Sequence, residues 1–409
     1  MTRPATIQKM CRSCGGKTLS TILSLGNIYL SEFHTTARKP AAYPLTLVLC
    51  SNCHLVQLKH TTPPSVLYTD NYGYKSGVNK TMQMELKDIV QKALKALKKK
   101  KGKILAVDIG ANDGTLLQNY PSSVTRVAIE PIKKLSKEAK RHANIVINDF
   151  FTYRAYKKSL GKKKANIITA ISCFYDMDDP NTFLSDITKI LDENGVFVIQ
   201  QNYLKSMLEL HAFDNIVHEH LEYYSLHSLH HLLARHHLEV FHVEKSPMNG
   251  GSFRTYIACM GKRKINNSVK RLLQQEDKLK LNTKKPYDVF AKQVKKNKKK
   301  LKAFIQRVVK KGKTVFVYGA STRGNTLLQY FGLNNTLFIA AVERNPEKWG
   351  KRIASLNIPI ISEEQARKKQ PDYMLVLPWF FKDEFLKREK KYLNSGGHFI
   401  FPLPSFEIV

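Results

Sequence analysis

Hydrophobic and polar positions alternate in blocks through the middle of the chain, as in a protein built from strands and helices in turn. Apolar runs of strand length begin at Ile104 and recur four times. Helical segments are predicted between them: one starts at Thr115, and another opens at Pro180 behind the capping residue Asp179. Strands that alternate with helices predict a parallel, doubly wound α/β sheet. The predicted strands are 104–109, 124–129, 144–147, 165–171 and 195–200.

The same alternation returns toward the carboxyl end of the chain. A lysine-rich helical stretch covers residues 266–311, and an apolar strand pattern follows it. That strand leads into a loop with two glycines at 319–325 and then into an apolar helix at 326–331. We therefore predict a second Rossmann-like unit. Its predicted strands are 314–318, 337–342, 373–377 and 398–401.

The region before the first sheet has a different pattern. Its first seventy residues are predicted to form short strands and turns with little apolar surface of their own. An amphipathic helix is predicted over 81–101, because Met84, Ile89, Ala93 and Leu97 recur near helical spacing. The chain thus divides into three predicted domains. Their bounds are 1–70, 71–262 and 263–409.

Composition fits a globular protein, since 43% of the 409 residues are hydrophobic. No apolar run approaches the roughly 18 residues that a membrane-spanning helix needs, so no membrane span is predicted. The segment before the first cysteine lacks an apolar stretch, so no signal peptide is predicted, and we expect a cytoplasmic protein. The sequence does not fix the oligomeric state, and a monomer is compatible with it.

Four of the six cysteines form two C-x-x-C pairs. Cys11 and Cys14 make the first pair, and Cys50 and Cys53 make the second. In an intracellular protein, two such pairs predict a tetrahedral site in which four thiolates bind one zinc ion. Because that site leaves no coordination position open, we predict a structural zinc centre without a catalytic role. The alternative is four unrelated thiols.

The net charge of +34 is large, with 67 Lys and Arg against 33 Asp and Glu. Such an excess is typical of proteins that bind nucleic acid or another anion. Here the lysines are spread along the chain, and the densest runs come where predicted helices end, which suits the negative end of the helix dipole. We therefore expect no specific nucleic-acid partner. A preference for phosphate-bearing substrates fits either interpretation.

The loop after the first predicted strand is the strongest candidate site. Its glycines would let the backbone approach a ligand closely. The loop lacks the G-x-G-x-x-G pattern, and its acidic residues disfavour a diphosphate. Asp108 and Asp113 better suit the cationic sulfonium and amino group of S-adenosylmethionine; a nicotinamide domain or a structural turn is the alternative. The candidate ligands in the loop are Asp108, Gly110, Asn112, Asp113 and Gly114.

Further candidate ligands of the methyl donor follow later strands. Glu130 ends the second predicted strand, where an acidic side chain can accept both ribose hydroxyls. Asn148, Asp149 and Phe150 follow the third strand and could bracket an adenine ring. Ser172, just after the fourth strand, completes the predicted cofactor site.

A histidine-rich segment at 213–225 is the second candidate. Histidine can take a proton near neutral pH, a neighbouring carboxylate can tune it, and tyrosines can stabilise an oxyanion. By composition alone the segment fits a histidine-rich helix equally well. A second metal site is the third possibility, although H-E-x-x-H is absent.

Several of these motifs together resemble the nucleotide-sugar C-methyltransferases of deoxysugar biosynthesis, over nearly the whole chain. That family has an N-terminal zinc domain, a central S-adenosylmethionine domain and a C-terminal Rossmann-like domain. The resemblance implies an α/β fold with a small zinc-binding domain at 1–70, a class I Rossmann-type methyltransferase domain at 71–262 and a substrate-contacting Rossmann-like domain at 263–409. The matching stretches are Tyr43-Pro44-Leu45 with 50–57, residues 72–76, the loop at Gly110, His218-Glu219-His220-Leu221 with Tyr224-Ser225, residues 249–254 and residues 319–328.

The resemblance also implies roles. His220 would be the general base with Glu219 beside it, and Tyr72 or Tyr74 would lie next to the sugar. The reaction would be C-methylation of a nucleotide-linked 4-keto-6-deoxy sugar, at C3, through an enolate. The assigned substrate contacts are Asn202, Tyr224, Asn249, Gly250, Gly251, Ser252, Arg254, Arg323 and Asn325.

The chain departs from the family at two places. Val217 stands where some members have tyrosine, and residues 172–176 replace an asparagine-to-histidine pattern. These departures bear on the sugar more than on the reaction class.

The main alternative function is a zinc-containing methyltransferase of nucleic acid or of a sugar hydroxyl. Neither an N/D-P-P-Y motif nor a Pro-Cys pair follows the fourth strand, which disfavours a nucleic-acid base as acceptor. A non-enzymatic module with a dead cofactor fold is disfavoured by the intact glycine loop, Glu130 and the His220 segment. A nicotinamide enzyme using Gly319 and Glu343 would lack the third glycine of its motif.

Overall fold

The computed structural model describes residues 4–69, 74–97 and 102–409. Two large sheets, one four-stranded sheet and one two-stranded sheet organise these residues. Within them, no helix has the length and apolar character that crossing a membrane demands.

The N-terminal region is built on a long antiparallel hairpin rather than on short strands alone. Its two strands, Leu19–Tyr29 and Ala42–Cys50, belong to a four-stranded sheet. The outermost strand of that sheet, Glu222–Tyr223, comes from the middle of the chain and pairs with Val56–Leu58. A separate two-stranded ladder joins Thr6–Ile7 to His60–Thr61, and the helix Pro64–Leu67 follows.

The central sheet has seven strands. All five strands predicted for this region are present, and their order places Ile104–Ile109 beside Ala165–Ile171. The strands that follow Ile104–Ile109 in the chain lie on one side of this pair, and the strand that follows Ala165–Ile171 lies on the other side. Such a change of direction opens a crevice at the carboxyl ends of the two strands. The strands in spatial order are Leu238–Ser246, Ser252–Cys259, Leu191–Asn202, Ala165–Ile171, Ile104–Ile109, Val124–Ile129 and Ile145–Ile147.

Two features of this sheet were not predicted. Leu238–Ser246 and Ser252–Cys259 form an antiparallel hairpin, and the second of these strands also runs antiparallel to Leu191–Asn202. The glycine loop does not open an α-helix at Thr115, because only the 3-10 turn Leu117–Asn119 forms there. Pro121 follows at once, and a residue before proline is driven out of helical geometry.

Helices cover both faces of the central sheet. Lys80–Ala96 begins behind Asn79, whose side chain accepts from the N–H of Thr81 (2.8 Å). Its buried face includes Ile89 and Ala93, as predicted, but Met84 is 58% exposed. The other helices of this region are Lys133–Ala139, Tyr153–Leu160, Pro180–Ile190, Leu204–Glu209 and Leu226–Ala234.

The C-terminal sheet has eight strands. The four predicted strands are present, although 337–342 shortens to Ala341–Glu343. One edge is extended by Phe33–His34 from the N-terminal region. The strands in spatial order are Glu407–Ile408, His398–Phe401, Tyr373–Val376, Val315–Tyr318, Ala341–Glu343, Ile358–Ser362, Arg352–Ile353 and Phe33–His34.

The lysine-rich stretch is two helices rather than one. Asn267–Leu279 ends at Lys280, which takes a left-handed conformation, and Lys285–Lys310 follows. The first helix packs on the central region, where Glu276 accepts from the hydroxyl of Tyr203 (2.7 Å). The remaining helices of the C-terminal region are Thr322–Phe331, Glu363–Lys369, Lys382–Arg388 and Lys390–Asn394.

The N-terminal region binds the two larger ones together. Besides the shared strands, the side chain of Gln329 bonds both backbone groups of Tyr29, accepting from its N–H at 2.8 Å and donating to its carbonyl at 3.0 Å. Arg12 pairs with Asp178 of the central region at 3.2 Å.

Candidate functional site

A cavity of about 270 Å³ opens at the carboxyl ends of Ile104–Ile109 and Ala165–Ile171. The central region supplies its floor, and residues 61–68 of the N-terminal region supply one wall. It therefore lies at the crevice that the strand order creates. The predicted cofactor residues that line it are Asp108, Gly110, Asn112, Glu130, Phe150 and Ser172.

Glu130 is held firmly at the cavity wall. It is 4% exposed, and its two oxygens accept from the backbone N–H groups of Asn112 and Ile132, each at 2.9 Å. Burial raises its pKa, and these two bonds oppose that effect. Each carboxylate oxygen has a second lone pair. Glu130 can thus accept two further hydroxyl donors.

Asp108 is the second buried carboxyl group in this wall. The hydroxyl of Thr169 donates to it at 2.6 Å. Burial raises the pKa of Asp108 to about 7, and the charge of Glu130 adds to the effect. None of the ion pairs among the described residues includes either group. A ligand with a positive charge and two hydroxyls suits this pair, whereas a diphosphate would be repelled.

Two predicted ligands in the glycine loop face elsewhere. Asp113 accepts from the N–H of Gly77 (2.8 Å) and the hydroxyl of Thr115 (2.6 Å), so it fastens the loop to the turn Ser76–Val78. Gly114 has a φ of 83°, and a Cβ there would lie 3.0 Å from Cα of Ala139. Neither residue lines the cavity.

The segment after Ile145–Ile147 reaches the cavity through Phe150 and Phe151. The side-chain N–H₂ of Asn148 donates to the carbonyl of Glu130 (2.9 Å), while Asp149 accepts from the next backbone N–H (2.8 Å). Phe150 lines the cavity and meets the ring of Tyr68 edge-on, with centroids 6.1 Å apart.

Of the two predicted substrate tyrosines, Tyr74 lines the cavity with 47% of its surface exposed. Tyr72 lies outside the described residues.

His220 lies half-buried beside the cavity, although it is not one of the lining residues. Its Nδ1 is 2.9 Å from the carbonyl of Asn215. Because a carbonyl only accepts, Nδ1 carries the proton, and Nε2 is left as the basic nitrogen. The pKa of His220 is lowered to about 3, mainly by burial and also by the positive charge of Arg323, while the bond to Asn215 opposes the shift. Its neighbour Glu219 lines the cavity, and burial raises the pKa of that carboxyl group.

His218 has a different environment. It is 4% exposed and lines the cavity, but its Nε2 is 3.2 Å from the carbonyl of Tyr43. Burial lowers its pKa to about 4. The same segment is fixed again one turn later, where the N–H of Leu58 donates to the carbonyl of Leu221 (2.8 Å). These contacts make His218 an anchor to the N-terminal sheet.

Apart from Tyr74, the residues predicted to contact the substrate are not among those that line this cavity. Arg254 is 2% exposed and pairs with Asp88 (2.8 Å) and Glu85 (3.0 Å) of the helix Lys80–Ala96. Tyr224 is buried and donates to Glu222 (3.1 Å). Asn325 accepts from the hydroxyl of Ser355 at 2.8 Å inside the C-terminal region. The side-chain oxygen of Asn202 is buried and has no hydrogen-bond partner in the part of the chain that the structure describes.

Arg323 connects the central and C-terminal regions. It pairs with the buried Asp214 at 2.8 Å, donates to the carbonyl of Asn249 and lies over the ring of Phe380 at 4.8 Å. The turn that contains Asn249 also packs there: a Cβ on Gly250 would lie 3.0 Å from the ring of Trp379. In the same turn, a Cβ on Gly251 would meet Ser206 at 2.4 Å, and the Ser252 hydroxyl donates to the carbonyl of Met248 (3.0 Å).

Sequence reasoning missed several residues that line the cavity. Thr61, Thr62 and Tyr68 arrive there only through tertiary packing, and nothing in their local sequence marks them. Asp176 had a signal, because it lies four positions after Ser172 in the segment that follows the fourth strand. A carboxyl group at the carboxyl end of a strand next to the switch point is a candidate ligand.

The four cysteines of the two C-x-x-C pairs come together. All their sulfur atoms lie within 4.8 Å of one another, and the closest pairs are Cys11 with Cys53 (3.4 Å) and Cys14 with Cys50 (3.6 Å). Zn–S bonds of about 2.3 Å in a tetrahedron would separate the sulfurs by about 3.8 Å, so the cluster fits zinc.

Both C-x-x-C turns have the same local geometry. Each pair is followed at once by a residue with positive φ, Gly15 in the first turn (73°) and His54 in the second (57°). The N–H of Gly16 donates to Sγ of Cys14, and the N–H of Asn52 to Sγ of Cys50, each at 3.4 Å. Such N–H donors stabilise thiolates.

Three family models match the chain in succession. They are a putative zinc binding domain at residues 11–68, a methyltransferase domain at 78–243 and a C-methyltransferase C-terminal domain at 247–404. The C-methyltransferase NovU of Streptomyces niveus is 28% identical over 406 residues, which cover 98% of this chain and 96% of that protein.

Solved methyltransferase structures match only part of the chain. An S-adenosylmethionine-dependent methyltransferase from Clostridium acetobutylicum is 12% identical over 44% of this chain and 92% of its own, with a TM-score of 0.33. The plantazolicin methyltransferase BpumL, bound to SAH, is 13% identical over 43% of this chain and 83% of its own, with a TM-score of 0.35. At these scores the two structures support no argument about function.

Buried carboxyl groups at the switch point of a Rossmann-type sheet suit a sulfonium donor, and a methyltransferase model covers that sheet. The class is therefore an S-adenosylmethionine-dependent methyltransferase, and it carries an N-terminal zinc-binding domain. The C-terminal model and NovU define the activity further: the chain is an S-adenosylmethionine-dependent C-methyltransferase similar to NovU. The predictions of fold class, enzyme class and cofactors are thereby confirmed.

Proposed function

We propose that this enzyme methylates C3 of a nucleotide-linked 4-keto-6-deoxy sugar. The observation that carries the proposal is the tautomer of His220, which leaves Nε2 as the basic nitrogen one residue away from Glu219, a residue that lines the cavity. A C-methyltransferase must create a nucleophilic carbon, and a keto group acidifies the C–H bonds beside it. A fixed, unprotonated imidazole is suited to remove that proton.

The methyl donor would be held by Asp108 and Glu130. Glu130 has lone pairs for two ribose hydroxyls, and Asp108 supplies negative charge for the cationic part of the ligand. When bound, S-adenosylmethionine supplies an electrophilic methyl group on a positively charged sulfur. Holding the two reactants in line can contribute about 7–11 kcal/mol to the acceleration.

His220 would act through Nε2. The carbonyl of Asn215 keeps the proton on Nδ1 and stabilises the imidazolium once Nε2 has taken the sugar proton. Its lowered pKa means that the resting imidazole is neutral throughout the physiological range. Glu219, one residue away, offsets the new positive charge when it is ionised.

The nucleotide would lie toward the C-terminal region. Arg323, Asn249 and Gly250 meet at the junction of the two regions, and Arg323 is close enough to His220 to affect its pKa. We therefore propose that residues 263–409 form the substrate-contacting domain. Residues 1–70 would then form the zinc domain, and residues 71–262 the methyltransferase domain.

Proton exchange tests the base separately from methyl transfer. In heavy water without methyl donor, the wild-type enzyme should exchange the proton at C3 of the keto sugar. His220→Asn retains an N–H donor for the Asn215 carbonyl but lacks Nε2, so exchange and methylation should fall by about 10²–10⁴-fold. His218→Gln is the matched control, because its amide can still donate to Tyr43, and it should keep most of the exchange.

Binding of S-adenosylhomocysteine, followed by calorimetry, should change little in both variants, since Asp108 and Glu130, the carboxyl groups assigned to the donor, are intact in each. Exchange that survives in His220→Asn and disappears in His218→Gln would move the base to His218. A product methylated on oxygen, shown by NMR with labelled donor, would favour the alternative of a sugar hydroxyl as acceptor.

A further inference from the structure

Asp176 is a carboxyl group in the cavity that the mechanism above does not use. It ends the 3-10 turn Phe174–Asp176, directly after the strand Ala165–Ile171. Phe174 and Tyr175, the first two residues of this turn, are buried, and the N–H of Leu221 donates to the carbonyl of Tyr175 at 2.9 Å. The backbone therefore fixes Asp176 against the segment that carries the histidines.

The two oxygens of Asp176 have unequal surroundings. The side chain of Tyr68 hydrogen-bonds the carboxyl group, but Oδ1 is buried and has no hydrogen-bond partner among the described residues. Leaving a buried polar atom unpaired costs about 1–3 kcal/mol, so an unpaired atom at a cavity indicates a place for a hydrogen-bond partner. Because Asp176 lines the cavity, a ligand in that cavity can be the partner.

The electrostatics decide what kind of partner fits. Burial raises the pKa of Asp176 well above its ordinary value, and the neighbouring charges of Glu219 and Glu222 add to the effect, while Tyr68 opposes it. A carboxyl group kept neutral in this way has one O–H to donate. The missing partner is then a hydrogen-bond acceptor, such as a carbonyl oxygen.

We propose that Asp176 donates a hydrogen bond to the sugar carbonyl oxygen on which negative charge develops when His220 removes the neighbouring proton. This inference rests on the proposed function. In that step the C–H bond breaks, its proton goes to Nε2 of His220 and its electron pair moves toward the carbonyl oxygen. Asp176 keeps its own proton and stabilises the oxygen through the hydrogen bond.

The contribution of such a donor is measurable. Removing one donor to an oxyanion lowers kcat by about 10²–10³-fold in enzymes that use this device. Asp176→Ala removes the donor, whereas Asp176→Asn replaces the O–H with an N–H of similar position. We expect the Ala variant to lose about 10²–10³-fold in kcat and in proton exchange, and the Asn variant to lose about tenfold or less.

The pH profile separates a donor from a merely structural carboxyl group. Wild-type activity should fall at alkaline pH as Asp176 ionises and loses its proton, whereas the Asn variant, which cannot ionise, should lack that fall. The other titratable groups that face Asp176 are Tyr68, Cys173, Glu219, Glu222 and Tyr223. They remain in both proteins, so only Asp176 accounts for the difference.

The experiment uses the full-length enzyme with zinc bound and a panel of nucleotide-linked 4-keto-6-deoxy sugars. Glu222→Gln is the matched control, since Glu222 is also a buried carboxyl group with an unpaired oxygen but does not line the cavity. Its loss of kcat should be much smaller than that of Asp176→Ala. S-adenosylhomocysteine binding should be equal in all variants that fold.

Three results would overturn the inference. The first is a kcat of Asp176→Ala within a few-fold of wild type, and the second is a kcat of Asp176→Asn as low as that of Asp176→Ala. The third is a loss of activity at alkaline pH that Asp176→Asn still shows. If the Ala variant does not fold, the comparison of Asn with wild type still decides. A wild-type enzyme that neither exchanges nor methylates any sugar of the panel refutes the proposed function, and the role of Asp176 with it. Active wild type with insensitive variants refutes Asp176 alone.

Discussion

Affinity for the methyl donor should depend on pH through Asp108. The free protein holds this carboxyl group at a pKa of about 7, mainly because it is buried. A bound cation stabilises the ionised form and lowers that pKa, so binding releases a proton below pH 7. Affinity should therefore rise as pH increases toward the free-state pKa and level off above it.

The size of the effect follows from the ionised fraction. With a pKa of about 7, Asp108 is about 90% ionised at pH 8 and about 10% ionised at pH 6. If only the ionised form binds well, the apparent Kd for S-adenosylmethionine rises about tenfold when the pH is lowered from 8 to 6. Asp108→Asn removes the titration and a charge-assisted hydrogen bond worth about 1.5–3 kcal/mol, which is about 10- to 150-fold in Kd at pH 8.

Calorimetric titration tests this prediction. Measurements in two buffers with different heats of ionisation report the protons released per donor bound, and Kd is followed from pH 6 to pH 8. The wild type should release close to one proton near pH 6, and Asp108→Asn should show a nearly flat Kd. A wild-type Kd that does not change with pH, or an Asn variant with the same slope, would refute the reasoning.

Three further predictions concern the rest of the molecule. Elemental analysis should find one zinc per chain, and Cys14→Ser should lose it together with methylation, because the zinc domain anchors the strand Glu222–Tyr223; a soluble, active variant without zinc would contradict this. Glu130→Ala should weaken donor binding in calorimetry by about 10- to 150-fold, and an unchanged Kd would mean that the ribose lies elsewhere. Binding to random duplex DNA, followed by fluorescence anisotropy, should be weak at physiological salt and fall steeply as salt rises; nanomolar binding would restore a nucleic-acid substrate.

The sequence by itself determined the features that depend on local spacing. Apolar runs of strand length, separated by helical patterns, predicted every parallel strand of the central sheet, because a strand buried on both faces is apolar along most of its length. C-x-x-C spacing predicted the cysteine cluster, because a tight turn brings two thiolates onto one ion. Asp108 and Glu130 were each recognisable as candidate ligands of the methyl donor, because the carboxyl ends of parallel strands lie at one edge of the sheet.

Other positions depended on partners far along the chain. Arg254 has the charge of a substrate ligand, but Ser252–Cys259 turns it toward two carboxylates of Lys80–Ala96, where it is buried. Met84 was predicted to lie on the buried face of its helix, but it is exposed. The face that the helix buries instead includes Met82 and Leu86. A one-dimensional pattern cannot specify which face or which charge a distant segment will present.

The cavity wall is the clearest case of a decision made only by the tertiary structure. Thr61 and Tyr68 reach it because the N-terminal sheet takes Glu222–Tyr223 as its edge strand, a pairing between segments about 160 residues apart in the chain. The same pairing separates His218, held against Tyr43, from His220, whose Nε2 stays free. Two histidines with nearly the same local sequence acquire different chemistry because different backbone carbonyls meet their rings.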